Sequence, residues 1–244
     1  MMDLSFWTPL NPKIIYEPTR KQFYGKYLCR MVINCPGGRL IYHKNDDLTT
    51  ALSHRISYAR SRNWGGSWIN NSDHLAESNV EQIANLKLIR EDFEKATKFR
   101  VEEPSIQIYT EDEDTIKEIA MRILPEFQKE IQLIQVPSSE DSIALLKDGK
   151  ILTKPSSKIQ YKYKIMLRDG NYGAETKQQV LNYINNLDKT DIKVSQGTLH
   201  NLARPHGFLW GAFLYVNDTK ILTFLNMISP GIVLNIHELA KVEE

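Results

Sequence analysis

Hydrophobic residues follow a strand-like pattern and then a helix-like pattern at one place in each half of this chain. Ile108-Tyr109-Thr110 leads into apolar residues spaced i, i+3, i+4 and i+7, and Leu214-Tyr215-Val216 leads into the same spacing about a hundred residues later. The apolar positions are Ile116, Ile119, Ala120 and Ile123 in the first half and Ile221, Phe224, Leu225 and Ile228 in the second. Each pattern predicts a strand followed by an amphipathic helix. The repetition indicates an internal duplication.

The order of the remaining elements predicts the architecture. Residues 159–244 read β-α-β-β-α-β, with the first strand at 161–168 and the last at 232–239. This is the ferredoxin-like order, in which two split βαβ units place both helices on one face of a four-stranded antiparallel sheet. The first half fits the same order if a helix at 46–62 is an insertion. We therefore predict an α+β protein with two tandem ferredoxin-like domains. A single α+β domain with a chance echo is the alternative.

Composition changes suggest the domain boundaries. Residues 1–24 contain three prolines among aromatic residues and are predicted to form an extended N-terminal arm. We assign 25–137 to the first ferredoxin-like domain, with its inserted helix, and 159–244 to the second. The polar stretch 138–158 between them is predicted to be the linker.

Overall composition is typical of a soluble globular protein, with 41% hydrophobic and 25% charged residues. No apolar run approaches the roughly 18 residues that would cross a bilayer, so no membrane partner is expected. The N-terminus lacks the pattern of a secretory signal. Two cysteines, Cys29 and Cys35, are too few for a disulfide scaffold. The expected location is the cytoplasm, or the host cytoplasm if the protein is encoded by a virus.

Charge is distributed unevenly although the net charge is only +1. Residues 1–70 carry 10 Lys/Arg against 4 Asp/Glu, and residues 71–150 carry 10 against 18. Residues 151–244 carry 11 against 8. A basic beginning and an acidic middle predict a polarised surface, which concerns partners rather than fold.

Aromatic residues in the second half are the first candidate for a binding site. The stretch His206–Phe213 partly resembles the third-strand signature of RNA-recognition domains, with its glycine and its aromatic positions. On a strand, Phe208 and Trp210 would share a face, and Tyr161 and Tyr163 would do likewise on the first strand. The resemblance implies that bases stack on this face. The alternative is that these aromatics bury the sheet against the other domain.

A basic helix and the loop after it form the second candidate. Spacings of three and four residues place arginines and a tyrosine in one row beside the apolar stripe. The candidate residues are Arg55, Tyr58, Arg60, Arg62, Trp64 and Trp68. Arginine side chains suit phosphates, and indole rings suit unstacked bases. The alternative is a solvated helix face followed by a turn that anchors two tryptophans in the core.

Catalytic and metal chemistry have no recognisable pattern. The six histidines and two cysteines lack the spacing of metal ligands, and the glycine-rich phosphate and dinucleotide fingerprints are missing from the sequence. The acidic run at 111–114 is predicted to cap the helix that follows it. We therefore predict neither a metal nor a cofactor.

Length and tandem layout resemble the CRISPR repeat-processing endoribonucleases, whose family carries a glycine-rich loop near the C-terminus and a catalytic histidine. This chain has only Gly207, Gly211 and Gly231 in that region, so no catalytic residue is carried over. We predict a non-enzymatic protein that binds single-stranded RNA or DNA as a regulatory or replication accessory factor. One alternative is an assembly protein of a viral particle or multi-protein complex that docks through its N-terminal arm. The other is a metal-independent endoribonuclease.

Overall fold

Two five-stranded sheets, one in each half of the chain, form the framework of the molecule. The computed structural model describes residues 4–44, 47–61, 76–154 and 160–241. The chain divides into a first unit, Met1–Ile143, and a second unit, Ala144–Glu244. Both units combine helices with a sheet, so the protein is of mixed α+β class.

The first unit builds its sheet from strands that are separated by helical connections. Its strands are β1 (Ile15–Pro18), β2 (Cys29–Asn34), β3 (Thr97–Glu102), β4 (Ser105–Thr110) and β5 (Ile131–Val136). Its helices are α1 (Leu4–Trp7), α2 (Leu48–Ser61), α3 (Ala76–Asp92), α4 (Glu113–Arg122) and α5 (Pro125–Gln128), with a 3₁₀ helix at Gly38–Tyr42. A further helix, α6 (Glu140–Lys147), crosses the boundary between the units.

The first sheet has the strand order β1-β5-β2-β4-β3. Strand β1 runs parallel to β5, and the other neighbours are antiparallel. Burial alternates along β2, where Cys29, Met31 and Ile33 are buried and the residues between them are half-buried. Alternate residues of a strand share one face, so this face belongs to the core. The opposite face is the outer face of the sheet.

Helix α4 shows how the sequence sets the packing of the first unit. The carboxylate of Asp112 caps the helix and accepts a hydrogen bond from the backbone N–H of Thr115 at 2.7 Å. Ile116, Ile119 and Ala120 are buried, and the helix packs against β2 and β4. The apolar spacing in the sequence therefore predicts the buried side of this helix.

The second unit repeats the arrangement of strands. Its strands are β6 (Ile151–Thr153), β7 (Tyr163–Leu167), β8 (Ile192–Val194), β9 (Phe213–Val216) and β10 (Val233–Lys241). Its helices are α7 (Ala174–Asn185), α8 (Gln196–Ala203) and α9 (Ile221–Ile228). The order is β6-β10-β7-β9-β8, with β6 parallel to β10 and the other neighbours antiparallel. The core includes Ile165, Leu167, Val180, Leu214 and Leu225.

The two sheets thus share one strand order and one pattern of parallel and antiparallel pairs. The repeated sequence pattern forms β4 and α4 in the first unit and β9 and α9 in the second. These strands have equivalent neighbours, because β4 lies between β2 and β3, and β9 lies between β7 and β8. The repeated sequence pattern therefore occupies equivalent positions in the two sheets.

Each sheet differs from the purely antiparallel sheet that we predicted, because a fifth strand pairs in parallel at one edge. Strand β1 lies within residues 1–24, which were expected to form an extended arm and also contain α1. Strand β6 lies within residues 138–158, which were expected to form a linker and also contain α6. Strands this short show no periodic pattern, and their pairing partners are far away in the chain.

Candidate functional site

A tyrosine between two lysines lies across the second sheet on its outer face. Lys164 of β7 and Lys193 of β8 are both directly opposite Tyr215 of β9. Residues directly opposite in antiparallel strands point to the same face. Leu214 and Val216, on either side of the tyrosine, are buried in the core, so the three side chains point away from it. We call Lys164, Tyr215 and Lys193 the second-sheet row.

Tyr215 is the centre of an aromatic cluster. The Tyr161 ring stacks on it with centroids 6.3 Å apart and planes inclined by 24°. The Phe213 ring meets it edge-on at 5.5 Å, and Lys164 Nζ lies 4.2 Å from the centroid of that Phe213 ring. Burial raises the pKa of Tyr215, so its phenol is neutral at pH 7 and adds no negative charge beside the lysines. The cluster is a neutral aromatic surface bordered by cations.

The first sheet carries a corresponding row. Arg30 of β2 and Lys98 of β3 are both directly opposite Tyr109 of β4. Ile108 and Thr110, the neighbours of this tyrosine, are buried on the core face. Arg30, Tyr109 and Lys98, which we call the first-sheet row, occupy the strand positions of Lys164, Tyr215 and Lys193. The arrangement of one tyrosine between two cations therefore occurs in both units.

A tight turn covers the first-sheet row. Phe23 and Tyr27 pair through their backbones, and Tyr24 and Gly25 between them have φ angles of 55° and 68°. The centroids of the Phe23, Tyr24 and Tyr27 rings lie 5.2, 5.0 and 6.5 Å from that of Tyr109. Tyr109 is only 3% exposed as a result. We call the segment from Phe23 to Tyr27 the aromatic cap.

Both cations of the first-sheet row contact the aromatic cap. Lys98 Nζ lies 3.7 Å from the centroid of the Tyr24 ring. The guanidinium carbon of Arg30 lies 5.4 Å from the centroid of the Phe23 ring. Burial is the main cause that raises the pKa of Tyr109. Side chains of the same unit therefore already provide the aromatic partners of this row.

The predicted stacking residues Phe208 and Trp210 lie in a loop, although we predicted them on a strand. Strand β9 begins only at Phe213. Gly207 and Gly211 have φ angles of 106° and 56°, which extended backbone does not adopt. Phe208 is 55% exposed and Trp210 is 74% exposed. Both rings are therefore exposed and do not belong to the core of the second unit.

Tyr161 and Tyr163 were predicted to share a face but lie on opposite faces. Tyr163 is opposite Val216 and packs against the core of the second unit. Tyr161 stacks on Tyr215 at the outer face. Strand β7 begins only at Tyr163, and a bend at Lys162 interrupts the alternation that the prediction assumed. Tyr161 is therefore part of the candidate site, and Tyr163 is part of the core.

The predicted basic row on α2 is only partly described. Arg55 forms an ion pair with Glu103, with Nη2 and Oε1 3.0 Å apart, and this carboxylate also accepts hydrogen bonds from the backbone N–H groups of Gly37 and Arg39. One amino group of Arg55 is therefore paired within the first unit. Tyr58 is exposed. For Arg60 only the backbone is described, and Arg62, Trp64 and Trp68 lie outside the described residues.

The start of α2 borders a cleft that contains two histidines and an aspartate. The cleft, of about 440 Å³, is lined by Leu40, His43, Asp47, Thr50, Ala51 and His54. The Asp47 carboxylate accepts a hydrogen bond from the Thr50 backbone N–H at 3.0 Å, which lowers the pKa of Asp47. This aspartate caps the helix, and we assign it a structural role. Within the described ranges, no three His, Cys, Asp or Glu side chains form a group suited to a metal ion.

Both cysteines are buried and free. Burial is the main cause that raises the pKa of Cys29 and of Cys35 to about 12. Thiols with such pKa values remain protonated near neutral pH and are poor nucleophiles and metal ligands. They belong to the core of the first unit and not to a reactive site.

Sequence reasoning missed all six residues of the two rows and also Phe213, whose ring contacts the second-sheet row. The missed residues are Arg30, Lys98, Tyr109, Lys164, Lys193, Phe213 and Tyr215. One signal was present, because Tyr109 and Tyr215 hold the same place in the repeated pattern. The cations beside them come from other strands, and only the register between strands brings them together.

Comparisons with protein-family models, with curated proteins and with solved structures found no match for this chain. Among the helices that the structure describes, none is long and apolar enough to cross a membrane. The function is therefore inferred from the geometry of the site.

Proposed function

We propose that this protein binds single-stranded nucleic acid, RNA or DNA, on the outer face of its second sheet and does not alter it chemically. The observation that carries the proposal is the second-sheet row, in which Tyr215 lies between Lys164 and Lys193. Proteins that bind single strands combine cations for the phosphates with aromatic rings on which bases stack. The row supplies both at adjacent positions.

The dimensions of a sheet suit this role. Neighbouring strands lie about 4.8 Å apart, so each lysine originates about one strand spacing from the tyrosine. A base stacked on Tyr215 would have a cation on either side for the phosphates that flank it. Tyr161 and Phe213 enlarge the aromatic surface around that base.

The first-sheet row supports the proposal because aromatic rings pack against a row of the same composition. The rings of the aromatic cap contact Tyr109, and two of them also contact Lys98 and Arg30. Stacked rings and cation–π contacts are the interactions that a nucleobase would make with the second-sheet row. In the first unit the chain itself provides this partner.

We also propose a ferredoxin-like βαββαβ core in each unit, with one added edge strand. In the first sheet, β2 and β3 run in the same direction with the antiparallel strand β4 between them. Likewise, β4 and β5 run in the same direction with the antiparallel strand β2 between them. Strands β7 to β10 are related in the same way. Two interleaved split βαβ units make up the ferredoxin-like pattern. Strands β1 and β6 are then additions at the edges.

Tyr215→Ala in the full-length chain tests the proposed function. Binding to a labelled pyrimidine-rich oligonucleotide, measured by fluorescence anisotropy, should weaken by roughly 1–3 kcal/mol because the base loses its stacking surface. Tyr215→Phe keeps the ring and should bind like the wild type. Tyr183→Ala, which removes a half-buried tyrosine from α7, is the matched control. Unchanged affinity of Tyr215→Ala, or a wild type that binds neither single-stranded RNA nor DNA, would contradict the proposal.

Assembly into a larger protein complex is the second candidate, favoured by exposed apolar side chains on α9 and β10. These residues are Phe224, Met227, Leu234 and Ile236. Phe224 and Met227 have the spacing of residues on one side of a helix, and Leu234 and Ile236 have that of residues on one face of a strand. Large exposed apolar patches mark protein interaction sites. Sedimentation velocity of the pure protein separates the candidates, because association with increasing concentration and no binding of oligonucleotides would favour assembly. Docking through the N-terminal arm has less support, since β1 is already paired with β5.

We place the protein in a reducing compartment such as the cytoplasm. Both of its cysteines are free and buried in the first unit. Proteins of oxidising compartments more often carry their cysteines as disulfides. The proposed binding of nucleic acid is consistent with this location.

A further inference from the structure

The loop between α8 and β9 presents Phe208 and Trp210 to solvent and is held by a buried lysine. Lys177 of α7 is 1% exposed. Its Nζ donates hydrogen bonds to the carbonyl oxygens of Arg204 at 3.3 Å and Gly207 at 2.5 Å. A buried ammonium group is costly unless its donors are satisfied. This lysine therefore depends on the loop keeping its shape, and the loop depends on the lysine.

Backbone contacts hold the same loop against the end of the sheet. Leu209 and Gly170 exchange two backbone hydrogen bonds of 2.8 and 3.0 Å. The Asp169 carboxylate accepts a hydrogen bond from the Gly211 N–H at 2.7 Å. Leu209 is buried in the core, so the residues before and after it are directed away from the core. The two exposed rings are therefore presented by a fixed backbone and do not contribute to the core.

Two arginines lie in the segments that meet at this loop. Arg168 and Arg204 are both exposed. Arg168 Nε donates to the carbonyl oxygen of Gly231 at 3.0 Å, which fixes its guanidinium against the turn that precedes β10. The nearby carboxylate of Asp169 is already bonded to a backbone N–H. Exposed aromatic rings on a segment that also carries exposed arginines are complementary to a polyanion with planar groups, which describes a single strand of nucleic acid.

We infer that Phe208 and Trp210 extend the site of the second sheet and stack on bases beyond the one held at Tyr215. This inference rests on the proposed function. Trp210 lies in the loop that leads directly into β9, five residues before Tyr215. Phe213 lies between them, and its ring contacts that of Tyr215. One strand of nucleic acid can follow this line of rings from the loop to the sheet.

Two lengths of oligonucleotide test the inference in the full-length chain. The double variant Phe208→Ala, Trp210→Ala is compared with the wild type on single strands of about 4 and about 12 nucleotides, which lie at the lower end and inside the range of site sizes of small single-strand binders. Affinity for the longer strand should fall roughly tenfold to a hundredfold, and affinity for the shorter strand should stay the same. Trp210→Phe keeps a ring and should retain most of the affinity. Phe224→Ala, an exposed phenylalanine on α9, is the matched control.

Tyr215→Ala serves as the reference, because it should weaken binding of both lengths. If Tyr215→Ala weakens binding and the loop variant does not, the inference is overturned and the loop is assigned to protein contacts. An equal loss on both lengths would also overturn it, since the loop would then belong to the first base and not extend the site. If the wild type binds neither length, the proposed function fails and the inference fails with it. Thermal unfolding should be unchanged in the loop variant, because both rings are exposed.

Discussion

The outer faces of the two sheets carry the same kinds of residue at the same strand positions, yet they offer different surfaces. Tyr109 is 3% exposed beneath the aromatic cap. Tyr215 is half-buried beside Tyr161. The first-sheet row is thus part of the packing of its unit, whereas the second-sheet row is part of its surface. Residue types at equivalent positions do not by themselves make two equivalent sites, because access decides what each can bind.

The difference originates in the segment that enters the first core strand of each unit. In the first unit this segment folds into a tight turn whose left-handed residues, Tyr24 and Gly25, bring three rings onto the sheet. In the second unit Tyr161 contributes one ring beside Tyr215 and leaves part of that tyrosine exposed. A change in one connection is therefore enough to cover or uncover a row that the sheet itself conserves between the units.

Truncating the covered tyrosine should have the largest effect, on stability. Tyr109→Ala removes a buried ring in contact with three others, so the free energy of unfolding of the first unit should fall by about 3–5 kcal/mol. Guanidinium unfolding followed by circular dichroism measures this loss. Affinity for single strands should be unchanged, and Tyr109→Phe is the control that keeps the ring. A loss of affinity as large as that of Tyr215→Ala would show that the first-sheet row also binds.

Removing the aromatic cap should convert the first face into a second site. The double variant Phe23→Ser, Tyr24→Ser uncovers Tyr109 between its two cations, and affinity for a long single strand should rise by roughly 1–3 kcal/mol. Titration with a labelled strand of RNA or DNA gives both affinity and stoichiometry. Adding Arg30→Gln and Lys98→Gln to the uncapped protein should abolish the gain. A folded, uncapped protein that binds no better than the wild type would show that the first face is structural only.

The lysines of the second-sheet row should have the smallest effect, seen best in the salt dependence of binding. Each phosphate contact on a single strand contributes about 0.7 to the slope of log affinity against log salt. Lys164→Gln with Lys193→Gln should therefore reduce the slope by about 1.4. The charge-matched control Lys189→Gln with Lys220→Gln should leave it unchanged, as should Arg30→Gln with Lys98→Gln. An unaltered slope in the variant Lys164→Gln with Lys193→Gln would show that these lysines do not contact phosphates.

Local sequence patterns were sufficient for several elements of the fold. The buried residues Ile116, Ile119 and Ala120 of α4 follow from their spacing, and Asp112 caps that helix as the acidic run suggested. The repeated pattern also led to equivalent strands, β4 and β9. These features depend on residues close together in the chain, which a periodic pattern records.

The candidate site could not be predicted in this way, because its residues come together through contacts between distant parts of the chain. Lys164 and Lys193 flank Tyr215 only because three strands have one particular register, and a slip of one residue would turn that tyrosine into the core. Arg55 was predicted to meet phosphate, but its partner Glu103 lies 48 residues away in the chain. We also predicted from the sequence that Gly207 is part of a strand, but its positive φ angle is not that of extended backbone.

The short parallel strands at the sheet edges determine how the two units can be separated. Strand β6 has three residues, which pair with the last three residues of the nine-residue β10. Thr153 Oγ1 of β6 also donates a hydrogen bond to the carbonyl oxygen of Ala240 at 3.2 Å. A fragment that began at residue 159 would lack this pairing and expose the edge of β10 to another copy of itself. A monodisperse fragment of the second unit therefore needs to include β6 and so to begin before Ile151.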